Sequence, residues 1–213
     1  MNIKTIITLL LFPMSIQLFA QEVSMRTIFV NMPDTLLPYM SSGNKLDLID
    51  FAESGMEAQV NDNLGDSVTL TKLTHDYLYL RLSPSSSVEL KILPYHGNSF
   101  RDSLIICMVS SVGSDIKESS VQFYTIGWKS MKSLVPIKFE ISNFMIEDHT
   151  VSDERLRILT DKLCPFMVSA NLSPETTDLI LKLSIPLLTE EDKGEIGSLF
   201  IPKTLKWDGN IFK

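Results

Sequence analysis

The chain is short of the residues from which compact active sites are most often built. It holds two Cys, three His and two Trp in 213 residues. Its nine Gly are scattered. None forms the Gly-rich loop that cradles phosphate, which argues against P-loop and dinucleotide-binding readings. No Gly-x-Ser-x-Gly elbow occurs. The His lack His-x-x-x-His spacing, and neither Cys has a close Cys or His neighbour, so the short zinc motifs are missing. Basic charge is scarce as well. Nineteen Lys and Arg stand against 26 Asp and Glu, giving a formal net charge of −7 and a pI near 5.0. A nucleic-acid partner needs a basic face for its phosphates, so that class is disfavoured. No apolar run after residue 20 is long enough to span a bilayer. What is present, 44% hydrophobic and 21% charged residues, describes a globular chain rather than a disordered or fibrous one.

The first twenty residues read as an address. Met1–Lys4 is a short basic start. An apolar run follows from Ile6 to Ala20, broken by Pro13, Ser15 and Gln17, before polar Gln21 and Glu22. This layout predicts a secretory signal peptide over 1–20, cut after Ala20, and a single α+β domain over 21–213. An uncleaved anchor is the alternative, although the run is short and broken for a span. No Cys lies near the cut site, which disfavours a lipoprotein. The leader carries Lys4 and no acid, so its removal leaves the chain one charge more negative. Export would permit a Cys107–Cys164 disulfide. The run Leu104-Ile105-Ile106-Cys107-Met108-Val109 favours the blander reading, a buried small apolar thiol.

Periodicity predicts strands with a few helices. Met25–Asn31 is short and β-branched and is expected to be a strand. Pro33–Tyr39 suggests a brief helical turn. A helix is expected from Lys45 to about Ser54, capped by Asn44 and stopped by Gly55, with Leu46, Leu48, Ile49, Phe51 and Ala52 facing a core. Asn61–Asp66 is a turn cluster. Ser67–Leu73, Tyr77–Leu82, Val88–Leu93, Ser103–Val109, Val121–Trp128 and Ile137–Phe144 read as strands, with Ser103–Val109 central because it is nearly all apolar. The gaps between them are too short for parallel crossovers. Asp153–Leu163 is expected to be a helix, Thr176–Ile185 a strand and Thr189–Leu199 helical. Asp208-Gly209 marks a closing hairpin. The fold class is therefore α+β: an antiparallel meander with two or three helices on one face. A faint echo between residues 45–82 and 153–183 admits a degenerate two-fold repeat with halves 21–145 and 146–213. The plainer account is that any α+β chain repeats helix-then-strands.

Phe29–Tyr39 followed by Asn44–Phe51 resembles the opening of an exported family of Bacteroides-type bacteria, the domain of unknown function 3256. The likeness continues through Leu73–Leu78, Leu93-Pro94, Ser103–Cys107 and the closing Trp207–Phe212. It covers nearly the whole mature chain. It implies a Gram-negative exported protein, periplasmic or associated with the outer membrane. It supplies no activity, ligand or catalytic residue.

Candidate chemistry is thin. His75-Asp76 could be part of a triad, but neighbours on a strand point to opposite faces. His96 and His149 sit in polar turns. Asn61, Asp62, Asn63 and Asp66 could bind Ca²⁺, though the EF-hand order is missing, and a solvated turn is the default. Glu190, Glu191, Asp192 and Glu195 fit the polar first turn of a helix. Trp128 and Trp207 are the candidate binding residues, as a glycan platform or protein hot spot, against the commoner role of capping a core. No catalytic residue, metal or cofactor is assigned. The reading is an exported cell-envelope protein, leaning non-enzymatic, that binds or assembles with another envelope protein, or with a glycan less readily. The alternative is a small hydrolase whose acids or His75 converge in a cleft.

Overall fold

The computed structural model describes residues 23–97, 103–132, 140–145, 165–184 and 200–213, with the single positions 134, 154, 157, 158, 161 and 194. Six strands form a meander: β1 (Gln59–Asn61), β2 (Ser67–Leu73), β3 (Tyr77–Ser83), β4 (Ser86–Tyr95), β5 (Ser103–Val112) and β6 (Glu118–Thr125). They pair antiparallel in chain order, as their short connections require. A second antiparallel sheet holds β7 (Met167–Leu172), β8 (Asp178–Ser184) and β9 (Lys203–Lys206) in that order.

Two helices cover one face of the larger sheet. They are α1 (Met25–Val30) and α2 (Ser42–Glu53). Met25, Ile28, Phe29, Leu48 and Ile49 share a core there with Leu78, Leu80, Leu90 and Ile106. The smaller sheet covers the opposite face. Leu93, Ile105, Cys107 and Phe123 pack there against Val168, Ala170, Leu179 and Trp207. β4 and β5 are thus buried on both sides along most of their length. A single sheet with one helix-covered face was expected; a three-layer stack is found.

Several local expectations change. Met25–Asn31 is a helix, not a strand. Ser24 caps it by accepting from the Thr27 N–H, and Met25, Ile28, Phe29 and Met32 recur at the spacing of one helical face. All four are buried, so core contact overrides the β-branched composition. Helix α2 begins before Lys45. Ser41 is its cap, and Asn44 supplies the return bond of a capping box. Its C-terminus behaves as read: Gly55 takes φ 71°. The Met56 N–H then reaches the Phe51 carbonyl and the Gly55 N–H reaches Ala52, closing a Schellman motif.

β6 ends at Thr125 rather than running to Trp128. A turn then folds Ser130 back to bridge Tyr124. Ile141–Phe144 is a 3-10 turn where a strand end was expected. In the expected helix 153–163, Glu154, Arg157, Ile158 and Asp161 are helical, and in 189–199 so is Gly194. The rest of both segments, the leader, His149 and Cys164 lie outside the described residues. Cys107 is a buried free thiol. Among the described residues the two units hold six and three strands, so the echo is not matched in strand number.

Candidate functional site

Most of the polar residues singled out from the sequence are committed to the fold. His75 is exposed in the β2–β3 turn, and its carbonyl accepts from the Met25 N–H at 2.8 Å. Asp76 does not serve it. Its carboxylate accepts from Thr74 Oγ1 at 3.1 Å and pairs with Lys91 Nζ at 2.9 Å. His96 lies against the closing hairpin, where its N–H donates to the Gly209 carbonyl at 2.9 Å. Trp128 and Trp207 are 9% and 8% exposed and belong to different cores. Trp128 Nε1 donates to the Ile28 carbonyl at 3.0 Å. Trp207 Nε1 donates to Pro94 at 2.6 Å, and its ring meets Phe123 and Phe212 at centroid distances of 5.6 and 5.0 Å. The structure therefore does not bring the two indoles together. Among the described residues no group of three His, Cys, Asp or Glu is arranged to hold a metal.

The buried polar chemistry lies between the two sheets. Glu89 is 2% exposed. Its carboxylate accepts from Tyr77 Oη at 3.0 Å, Asn171 Nδ2 at 2.8 Å and the Leu172 N–H at 2.9 Å. Burial pushes the Glu89 carboxyl upward from its ordinary value, opposed by those three bonds and by Lys117. Burial and the Glu89 charge push the Tyr77 phenol up as well. Nearby, Lys91 Nζ reaches the Pro174 carbonyl at 3.0 Å. On β6, the Ser119 hydroxyl accepts from the Ala170 N–H at 2.9 Å and shares a 2.7 Å bond with Ser111. Ala170 and Leu172 are alternate residues of β7, so their N–H groups point to the same side, away from β8. Side chains of the larger sheet thus pair the free edge of β7, which is how an edge strand avoids foreign pairing. The cluster lines neither of the surface cavities of about 340 and 420 Å³. Its geometry is that of a clasp.

The surface offers a different site. The turns after α1, the Asn61–Asp66 turn and the β3–β4 hairpin surround an open cavity of about 340 Å³. Leu36, Pro38, Tyr39, Leu64 and Leu82 line it, with Asp62, Asp66, Ser83 and Ser86 as its polar groups. Tyr39 and Leu64 are 52% and 64% exposed. Large apolar side chains held this open on a turn are informative where they gather around one hollow.

The walls are held firmly. Lys45, only 1% exposed, sends its ammonium to the Met32 carbonyl at 2.6 Å and to Asp34 at 2.9 Å. That fixes the start of the 33–40 loop from beneath. Asn63 N–H donates to the Tyr39 carbonyl at 2.8 Å, and Asn44 Nδ2 to the Asn61 carbonyl at 2.7 Å. Asp62 Oδ1 accepts from Leu64 and Asp66 N–H groups, an Asx turn. The turn reading of Asn61–Asp66 holds. Sequence reasoning missed the groove, and its one signal was Leu64 standing alone among polar turn residues. A second cavity of about 420 Å³ adjoins it, sharing Asp66 and Ser83 and lined also by Ser67, Arg81 and Pro84.

Comparisons with known proteins bear on family and fold. A family model described as a protein of unknown function (DUF3256) matches residues 15–212. No curated protein matches the chain. Among solved structures it is similar to a domain of an uncharacterized protein from Porphyromonas gingivalis W83. The two are 24% identical with a TM-score of 0.72, over 88% of this chain and 96% of that one. At that identity the likeness speaks to the fold alone.

Proposed function

The chain belongs to the DUF3256 family, and we propose that it is a non-enzymatic, exported cell-envelope protein that binds a segment of another protein in the Tyr39–Leu64 groove. The observation that carries this is the groove itself: a hollow with exposed apolar side chains, one wall of which is anchored by a buried ammonium. Placing Lys45 under a surface loop requires desolvating a charge. Such an arrangement pre-orders the loop, and pre-ordering is what a binding surface needs to limit the entropy lost on association.

The dispersal of titratable groups supports a binding role over hydrolysis. Asp76 serves Lys91, Glu89 clasps the second sheet, and among the described residues no His lines either groove cavity. Export and envelope location rest on the leader pattern of residues 1–20. Among the described residues no helix is long and apolar enough to cross a membrane. Trp128 and Trp207 are buried in the cores and do not line the groove.

The test is crosslinked capture from the native envelope with tagged mature protein, run beside Leu64→Glu and Tyr39→Ser. A stoichiometric partner captured by wild type and lost from both variants supports the reading. Equal capture by all three proteins removes the groove as the binding surface. Turnover of ester, amide or glycoside substrates that His75→Ala abolishes would overturn the non-enzymatic part.

A further inference from the structure

We propose that the groove's occupant is a polypeptide segment that seats an apolar side chain between Leu36, Tyr39 and Leu64 and sets a Lys or Arg against Asp62 and Asp66. This deepens the binding reading above and rests on it.

Charge is the first argument. Among the described residues, the lining of the 340 Å³ cavity contains two carboxylates and no cation. Asp62 spends one oxygen, Oδ1, on the Leu64 and Asp66 N–H groups. Its other oxygen, and the Asp66 carboxylate, have no partner among the described residues. The chain's net charge of −7 adds a long-range field of the same sign. An acidic or phosphorylated occupant would be repelled; a basic one is drawn in.

Size and chemistry narrow the class further. A cavity of 340 Å³ is at the small end of ligand sites. It admits one large side chain with its immediate neighbours rather than a folded surface. Tyr39, of a residue type enriched in protein hot spots, supplies a rigid amphipathic face beside aliphatic Leu36, Leu64 and Leu82. The Ser83 and Ser86 hydroxyls share a 2.9 Å bond, which leaves one O–H of the pair to meet a peptide backbone. A flat carbohydrate would want aromatic faces, and Tyr39 is the one aromatic among the described residues lining the cavity.

The experiment pans a random twelve-residue display library on immobilised mature protein. Enriched peptides are then synthesised with a fluorophore and titrated by anisotropy. Expected is enrichment of an apolar residue beside Lys or Arg. Leu64→Glu should weaken binding more than tenfold. Asp62→Asn/Asp66→Asn, which keeps the Asx-turn acceptor and removes two charges, should weaken it about tenfold at low salt and much less at high salt. Replacing the peptide's Lys with Glu should abolish binding. Matching circular dichroism and melting temperatures establish that both variants fold.

Peptides that bind in a Leu64-dependent way without basic bias, or that ignore the double Asn variant, overturn the charge inference and leave the groove reading standing. Peptides unaffected by Leu64→Glu, or no enrichment at all, overturn both.

Discussion

Removing the Glu89 carboxylate should loosen the smaller sheet from the larger one. Glu89→Ala strips partners from three donors: the Leu172 N–H, the Tyr77 hydroxyl and the Asn171 amide. Asn171 is at the surface and finds water. The Leu172 N–H and the Tyr77 hydroxyl are buried, and each orphaned donor costs about 1–3 kcal/mol. Relief from holding a buried anion offsets part of this. The expected net loss is about 3 kcal/mol at pH 7, or roughly 6–12 °C in Tm for a chain of this size. Glu89→Gln is milder. Its NH2 can face Asn171, whose exposed amide turns to present oxygen, while its carbonyl keeps Leu172 and Tyr77. The loss there should be below about 1 kcal/mol. The pH dependence follows from the raised Glu89 pKa. A group whose folded pKa exceeds its unfolded value binds protons more tightly when folded. Its contribution is fully present below the unfolded value and is lost as pH rises through the folded one. Urea melts from pH 4.5 to 8 should therefore show wild type losing stability relative to Glu89→Gln as pH rises. Hydrogen exchange should locate the change at Ala170 and Leu172. A Glu89→Ala loss under 1 kcal/mol with unchanged exchange at those amides would refute the clasp. A wild-type advantage that grows with pH would refute the sign.

Three further outcomes follow from named contacts. Lys45→Met leaves the Met32 carbonyl without its 2.6 Å partner and should cost about 1–2 kcal/mol, with limited proteolysis appearing first within residues 33–40. Gly209→Ala should destabilise by about 2 kcal/mol or more, read as a lowered melting temperature. Gly209 has φ 100°, and an added Cβ would stand 2.0 Å from the His96 ring. Burial, with the charge of Glu89, pushes the Cys107 thiol up. In a Cys164→Ser background it should therefore ignore a water-soluble disulfide reagent until the protein is unfolded, and native labelling within minutes would contradict its burial.

The contrast between the meander and its second cover shows how much of this fold the sequence makes legible. Strands β2 to β5 were readable because Leu78, Leu80 and Leu82 alternate with Tyr77, Tyr79 and Arg81, and because each connection is a tight polar turn. Helix α1 was not, since six residues hold too few turns for a helical period to outweigh Ile28 and Val30. The layer count failed for a more instructive reason. In Val88-Glu89-Leu90-Lys91-Ile92 the alternation of apolar and charged residues describes a strand with one wet face. The register is right and the inference about water is wrong. Glu89 and Lys91 point to the face that β7 covers, and both are buried. Neither is there as a solubilising charge. Glu89 supplies acceptors to donors on the next layer, and Lys91 supplies a donor to Pro174. A period-2 pattern reports which residues share a face, and only the partner across that face decides whether a charge there is solvated or structural. The groove was hidden by the same limit from the other side. Leu36, Tyr39, Leu64 and Leu82 come from three separate turns and strands, and each reads singly as an ordinary loop or core residue. What makes them a site is the buried Lys45 that anchors the start of the 33–40 loop to α2 and the Asn63 N–H that ties Tyr39 to the 61–66 turn, contacts with no signature in spacing.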